Sequence, residues 1–327
     1  MRYLSYVGLI LGLIIFTILI AWQGVGEIAH LFMDTGWTLL WLPLVWLPSL
    51  LVAVISWRLL FLDEQAPSFP LALKALWIGR AINTLLPVAT IGGEIIKARL
   101  LTLWGTSGTA ATASVLVDKT VQALAVAAWA FIGTLLLIYL AVDDELAIAA
   151  MSGVFVLLAA IIGFILVQKA GVAGFMTRMM GKFVASDGWA EITSNAEEVD
   201  QIVIKLYRRG MLLMRSIFWR TLGLVLQTTE VWFACYILGQ PIGIIEALML
   251  KSLTSTLSDI AFFIPNAYGI QEGSYVVLGA LLGLTPDFSL AVSLATRIRE
   301  LLIDLPGLLA WQHIEARLLL GNGYNSG

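Results

Sequence analysis

The chain has 327 residues, of which 60% are hydrophobic and 13% charged, with a net charge of −3 and a mean hydropathy of +0.92. Soluble domains average about 45–50% apolar and about 25% charged residues, so composition excludes an ordinary soluble enzyme, and the slight acidity gives no reason to expect a nucleic-acid partner. One cysteine, Cys235, excludes an intramolecular disulfide or a CxxC site, two histidines are too few for a histidine-rich metal site, and no pattern calls for a cofactor.

Taken in chain order, the apolar stretches read as membrane spans of roughly 20 residues each. Residues 4–22 form the first, expected to be retained because no A-x-A cleavage site follows. Residues 37–62 form the second, with Pro43 and Pro48 predicting a kink. Residues 70–104 are apolar but broken near the middle, and each half is short for a span. Clear spans follow at 120–142 and 146–167, joined by the acidic loop Asp143-Asp144-Glu145. The stretch 169–215 is the one sizeable aqueous segment, and it carries seven basic residues. Its later part predicts an amphipathic helix with Val199, Ile202 and Leu206 on one face. The segment reads as a connector lying on the membrane surface, with a lipid-recruiting basic patch near Arg208-Arg209 as the alternative. A span at 216–238, a second broken segment at 241–284 and a last span at 288–311 complete the chain.

The expected fold is therefore an all-α polytopic membrane protein. It has six full spans plus two re-entrant broken-helix pairs in an inverted repeat, all in a single integral membrane domain over 1–327. Basic loops stay cytoplasmic. That rule places 169–215 and both termini inside, provided that each broken segment makes no net crossing.

The two broken segments resemble each other. The first reads Pro87-Val-Ala-Thr-Ile-Gly92-Gly93-Glu94; the second reads Pro265-Asn-Ala-Tyr-Gly269-Ile-Gln-Glu272-Gly273. In both, glutamate follows proline by seven residues with glycine between. Proline blocks the helix, and glycine opens backbone angles closed to other residues. Irregular backbone at membrane depth survives only inside protein or along a wet cavity. Paired interruptions of this kind point to a transporter's binding site. The helix starts near Gly93 and Gln271 are candidate seats for an anion.

Many charges also fall in or beside apolar segments, where each costs about 2.5–3.5 kcal/mol at mid-bilayer unless it faces protein or a cavity. Expected cross-segment pairs are Arg80 with Glu94, and Glu272 with Arg297 or Arg299. Arg297, Glu300 and Asp304 lie three and four residues apart on one helix. Asp118-Lys119 fits a membrane boundary, where water solvates both charges.

These residues together resemble the membrane region of the lysylphosphatidylglycerol synthase and flippase-like family. The resemblance rests on Arg80-x2-Asn83-x3-Pro87, Gly92-Gly93-Glu94, Arg99, Asp118-Lys119 and Pro265…Gly269-x2-Glu272-Gly273. The end of the chain, "GIQEGSYVVLGALLGLTPDFSLAVSLATRIRELLIDLPGLLAWQ", is similar to the hopanoid-associated subgroup called HpnL. Val88 and Asn266 stand where the family often has glycine. The resemblance implies a bacterial inner-membrane protein that moves or handles lipid, with two inverted repeats meeting at the membrane centre. It names a hopanoid or phospholipid as substrate and hopanoid-pathway membrane proteins as partners. The synthase's soluble aminoacyl-transferase domain has no counterpart after Trp311, so synthase activity is not expected.

The candidate substrate-binding set is Arg80, Asn83, Glu94, Lys97, Arg99, Glu272, Arg297, Arg299 and Glu300. Pro87, Gly92, Gly93, Pro265, Gly269 and Gly273 shape the breaks. The leading expectation is a lipid translocase and not an enzyme. The alternatives are an intramembrane lipid-modifying transferase, for which no catalytic triad or phosphate-binding loop is present, and a scaffold of a hopanoid synthesis or export complex.

Overall fold

The computed structural model describes residues 35–62, 65–86, 92–140, 189–260 and 269–321, with Ala267 and isolated positions between 148 and 166. All regular structure among them is helical. The predicted span 4–22, most of 146–167, and residues Pro87, Val88, Pro265 and Asn266 lie outside the described residues.

A 3-10 turn, Gly36–Trp41, runs into α1, Leu42–Arg58. Pro43 sits in the first turn of α1, where its missing N–H has no helical partner to lose, and the helix continues through Pro48. Helix α2, Phe69–Leu85, ends at Leu86, which is extended (φ −113°, ψ 145°). Extended backbone is the conformation favoured on the approach to a proline such as Pro87. Helix α3, Gly92–Leu103, is short. Helix α4, Gly108–Tyr139, starts earlier than the predicted span because Ser107 Oγ accepts the Ala110 N–H at 3.3 Å, capping an alanine-rich first turn.

The expected amphipathic connector helix is α5, Trp189–Arg208. Val199, Ile202 and Leu206 are buried and join a core shared with α1 to α4. The predicted span 216–238 is two helices, α6, Gly210–Leu226, and α7, Thr228–Ile237, which meet at Gln227. Helix α8, Ile244–Ile260, and α9, Ile270–Leu281, flank the second break. The predicted last span lies within α10, Pro286–Gly321.

Two helical stretches among the described residues are long and apolar enough to cross a membrane, Gly36–Arg58 and Gly108–Tyr139. Helix α10 is longer than either, but Arg297, Arg299, Glu300 and Asp304 lower its hydropathy. Phe131, Leu135 and Ile138 of α4 are exposed, an apolar outer face suited to lipid and not to water.

The packing is reciprocal. Helices α2, α3 and α4 pack in sequence, as do α8, α9 and α10. Across these groups, α10 packs on α2 and α4 packs on α8. Each long helix thus covers the first helix of the other group. An indole ties each crossing: Trp77 Nε1 of α2 donates to the Ile303 carbonyl of α10 (2.8 Å), and Trp129 Nε1 of α4 donates to Ser255 Oγ of α8 (2.9 Å).

Candidate functional site in the helix core

The first break is held by close backbone approach. A Cβ on Gly79 of α2 would stand 2.8 Å from the Gly93 carbonyl oxygen, and a Cβ on Gly93 would strike the side chain of Asn83. With no Cβ, the Gly93 N–H donates to Asn83 Oδ1 at 2.8 Å. Asn83 Nδ2 in turn reaches Glu94 Oε1 at 3.4 Å. At the second break Gly269 has φ +81°, a left-handed angle that glycine adopts without strain, and its N–H donates to Glu272 Oε2 at 2.7 Å. The expected anion seats are thus partly filled from within, since the chain's own oxygens take a donor at the start of each helix.

Glu94 and Glu272 occupy equivalent places. Glu94 of α3 pairs with Lys119 of α4 at 2.7 Å, and Glu272 of α9 pairs with Arg297 of α10 at 3.1 Å. Each cation lies 25 residues beyond its glutamate. Each also reaches a side chain one helical turn further on: Lys119 Nζ to Gln122 Oε1 at 3.4 Å, and Arg297 Nη1 to Glu300 Oε2 at 3.3 Å.

Around the first pair lies a buried network. Lys97 Nζ is 2.6 Å from Glu94 Oε2 and 3.1 Å from Asp118 Oδ2. Asp118, fully buried, also accepts from Gln122 Nε2 (2.8 Å) and pairs with Arg220 of α6. The boundary reading of Asp118 therefore fails, because Lys97 and Arg220 supply inside the protein what interfacial water would have supplied. This network sets Lys97, Lys119 and Arg220 against Glu94 and Asp118, a surplus of one positive charge.

The second network is neutral: Lys251, Arg297 and Arg299 against Glu230, Glu272 and Glu300. Its centre is Glu230 of α7, fully buried, which Arg299 grips with both Nε (2.6 Å) and Nη2 (3.0 Å). Such a planar fork suits guanidinium and not ammonium.

The expected Arg80–Glu94 pair does not form. Arg80 lies on the face of α2 that meets α10, and its Nε is 3.1 Å from Asp304 Oδ1. Glu94 instead faces α4. The guanidinium groups of Arg80 and Arg299 both lie over the Trp46 ring of α1, their carbons 4.3 and 4.8 Å from its centroid. Sequence reasoning missed Trp46, because one tryptophan in an apolar span carries no signal of its own.

Of the candidate residues, Asn83, Glu94 and Lys97 fall in the first network, and Glu272, Arg297, Arg299 and Glu300 in the second. Arg80 lies beside the second, at the Trp46 ring that Arg299 also meets. Arg99 stands apart: it is exposed and pairs with Glu315 near the end of α10. Within the two networks and the Arg80–Asp304 pair, the most accessible charges are Lys119 (32%), Glu272 (31%) and Arg80 (26%). The described residues contain no group of histidine, cysteine and carboxylate side chains arranged to hold a metal ion.

No curated protein and no solved structure shows significant similarity to the chain. Residues 9–307 match the family described as Lysylphosphatidylglycerol synthase TM region, and the chain belongs to that family of membrane regions, whose setting is membrane lipid.

Proposed function

We propose that the protein is a lipid translocase of the bacterial inner membrane, with both termini cytoplasmic and no enzymatic step of its own. The observation that carries this reading is the duplicated pair, Glu94–Lys119 and Glu272–Arg297, with one partly accessible member in each. Two such pairs at equivalent places support an inverted repeat of two re-entrant helix pairs within six full spans. A polar headgroup is held between the pairs while the lipid tails remain against apolar helix faces. Lys119 and Arg80 offer positive charge to the headgroup, and Glu94, Glu272 and Glu300 orient the cations. The terminal segment's likeness to the hopanoid-associated subgroup makes a hopanoid or a phospholipid the proposed cargo, with hopanoid-pathway membrane proteins as partners.

The test uses protein reconstituted into vesicles with a labelled lipid in one leaflet. The wild type accelerates exchange between leaflets. Glu272→Gln abolishes that exchange while its unfolding temperature stays near the wild-type value. Wild-type exchange rates in Glu272→Gln refute the proposal, and a covalently altered lipid formed only with active protein moves the assignment to a transferase.

A further inference from the structure

The basic stretch at Arg208-Arg209 takes no part in the core networks, and the fold gives it a shape of its own. Between Asp200 and Glu230 the chain carries no carboxylate, and Lys205, Arg208, Arg209 and Arg215 are all exposed there. Arg208 and Arg215 make no side-chain hydrogen bond or ion pair among the described residues. Helix α5 ends at Arg208 and α6 begins at Gly210. An open recess of about 480 Å³ lies at this junction, lined by Arg208, Arg209, Gly210, Met211 and Leu212.

Two serines fix the depth of this recess and the rotation of α6. Ser216 Oγ donates to the Ser56 carbonyl of α1 at 2.9 Å, and Ser56 Oγ donates to the Ser216 carbonyl at 2.8 Å. Ser56 lies two residues before the end of α1, roughly 3 Å along its axis. Helix α6 packs on α1 and α4, the two helices among the described residues long and apolar enough to cross a membrane. Arg215 therefore stands at the level where α1 ends, and Arg208 and Arg209 lie just beyond it. Ser216 and Gly223 turn one face of α6 inward. Met211, Met214, Arg215 and Phe218, at i, i+3, i+4 and i+7, share another face and are all exposed. Side chains on a helix lean toward its N-terminus, which brings Arg215 toward Arg208 and Arg209. Cations at headgroup level beside an apolar stripe one turn deeper match a ligand with a negative head and apolar tails. An acidic soluble partner would use the cations alone, and a zwitterionic lipid the stripe alone.

We propose that the α5–α6 junction binds an anionic phospholipid of the adjacent leaflet, its phosphate among Arg208, Arg209 and Arg215 and its acyl chains along Met211, Met214 and Phe218. This lipid is a resident of the outer surface and not cargo of the core, so the inference is independent of the translocase reading.

The test is photolabelling of the full chain in phosphatidylcholine vesicles. A trace of phosphatidylglycerol, or of phosphatidylcholine, carries a diazirine near the top of one acyl chain, and the labelled peptides are mapped by mass spectrometry. Phosphatidylglycerol labels residues 211–218 at least about fivefold more than phosphatidylcholine, the gain expected of a single arginine near an anionic headgroup. Arg208→Gln combined with Arg215→Gln removes that preference, and lysine at both positions keeps it. Glu272→Gln, which disables the core site under the reading above, leaves it unchanged. Equal labelling by the two probes overturns the inference, as does a preference that survives in the glutamine variant. Loss of the preference in Glu272→Gln assigns the signal to the core and also overturns it. Absence of labelling by either probe means that another element covers this face, and overturns it too. The wild-type comparison of the two probes decides the matter even if a variant fails to fold.

Discussion

Asp118→Asn is the sharpest probe of the buried network. Asp118 is fully buried and accepts from Lys97, Gln122 and Arg220, side chains of α3, α4 and α6. Asparagine keeps the shape but removes the charge. Lys97 is then left with Glu94 alone, and Arg220 loses its carboxylate. Breaking a buried ion pair from one side costs about 3–5 kcal/mol. The loss lowers the unfolding temperature by about 4–7 °C in a chain of this size. The assay is thermal unfolding in detergent, followed by the fluorescence of the protein's tryptophans. Adding Lys97→Met removes one of the stranded cations, so the double variant recovers part of the loss, a non-additivity expected only of residues in contact. If Asp118→Asn unfolds within a degree or two of wild type, the network is solvated and this reasoning is wrong.

Other substitutions separate packing from charge. Gly93→Ala forces α3 away from Asn83 and Gly79 at a cost of about 1–3 kcal/mol, read as a lower unfolding temperature and weaker protease resistance near the first break. Trp46→Leu removes the ring that both Arg80 and Arg299 meet and costs about 2 kcal/mol in the same unfolding assay, since each desolvated cation–π contact contributes of order 1 kcal/mol. Arg99→Ala, at an exposed pair, shifts stability by less than about 1 kcal/mol and leaves leaflet exchange of a labelled lipid unaltered.

Much of this arrangement is legible in the sequence, and the limits have physical causes. The Pro-x6-Glu spacing anticipates a helix start at each glutamate, and Glu94 and Glu272 do stand in the first turns of α3 and α9, because proline and glycine act locally. The amphipathic face of α5 is readable for the same reason, since a period of 3.6 survives in the sequence. The partner of Arg80 is not readable. Glu94 is near Arg80 in sequence and Asp304 is 224 residues away, so sequence proximity points to the wrong partner, and only the packing of α2 on α10 selects Asp304. The break at Gln227 escapes detection because both flanking segments are apolar and neither proline nor glycine marks the junction. Asp118, Glu230 and Lys251 stand out as charges in apolar segments, but their grouping into two networks depends on which helix faces cross.

The central claim is that the duplicated charged core binds lipid. The most direct measurement is mass spectrometry of the lipids that co-purify in mild detergent with wild-type protein and with Glu272→Gln. The account predicts one lipid class enriched over bulk membrane on the wild type and lost on the variant. Bulk lipid in bulk proportions on both proteins would contradict it.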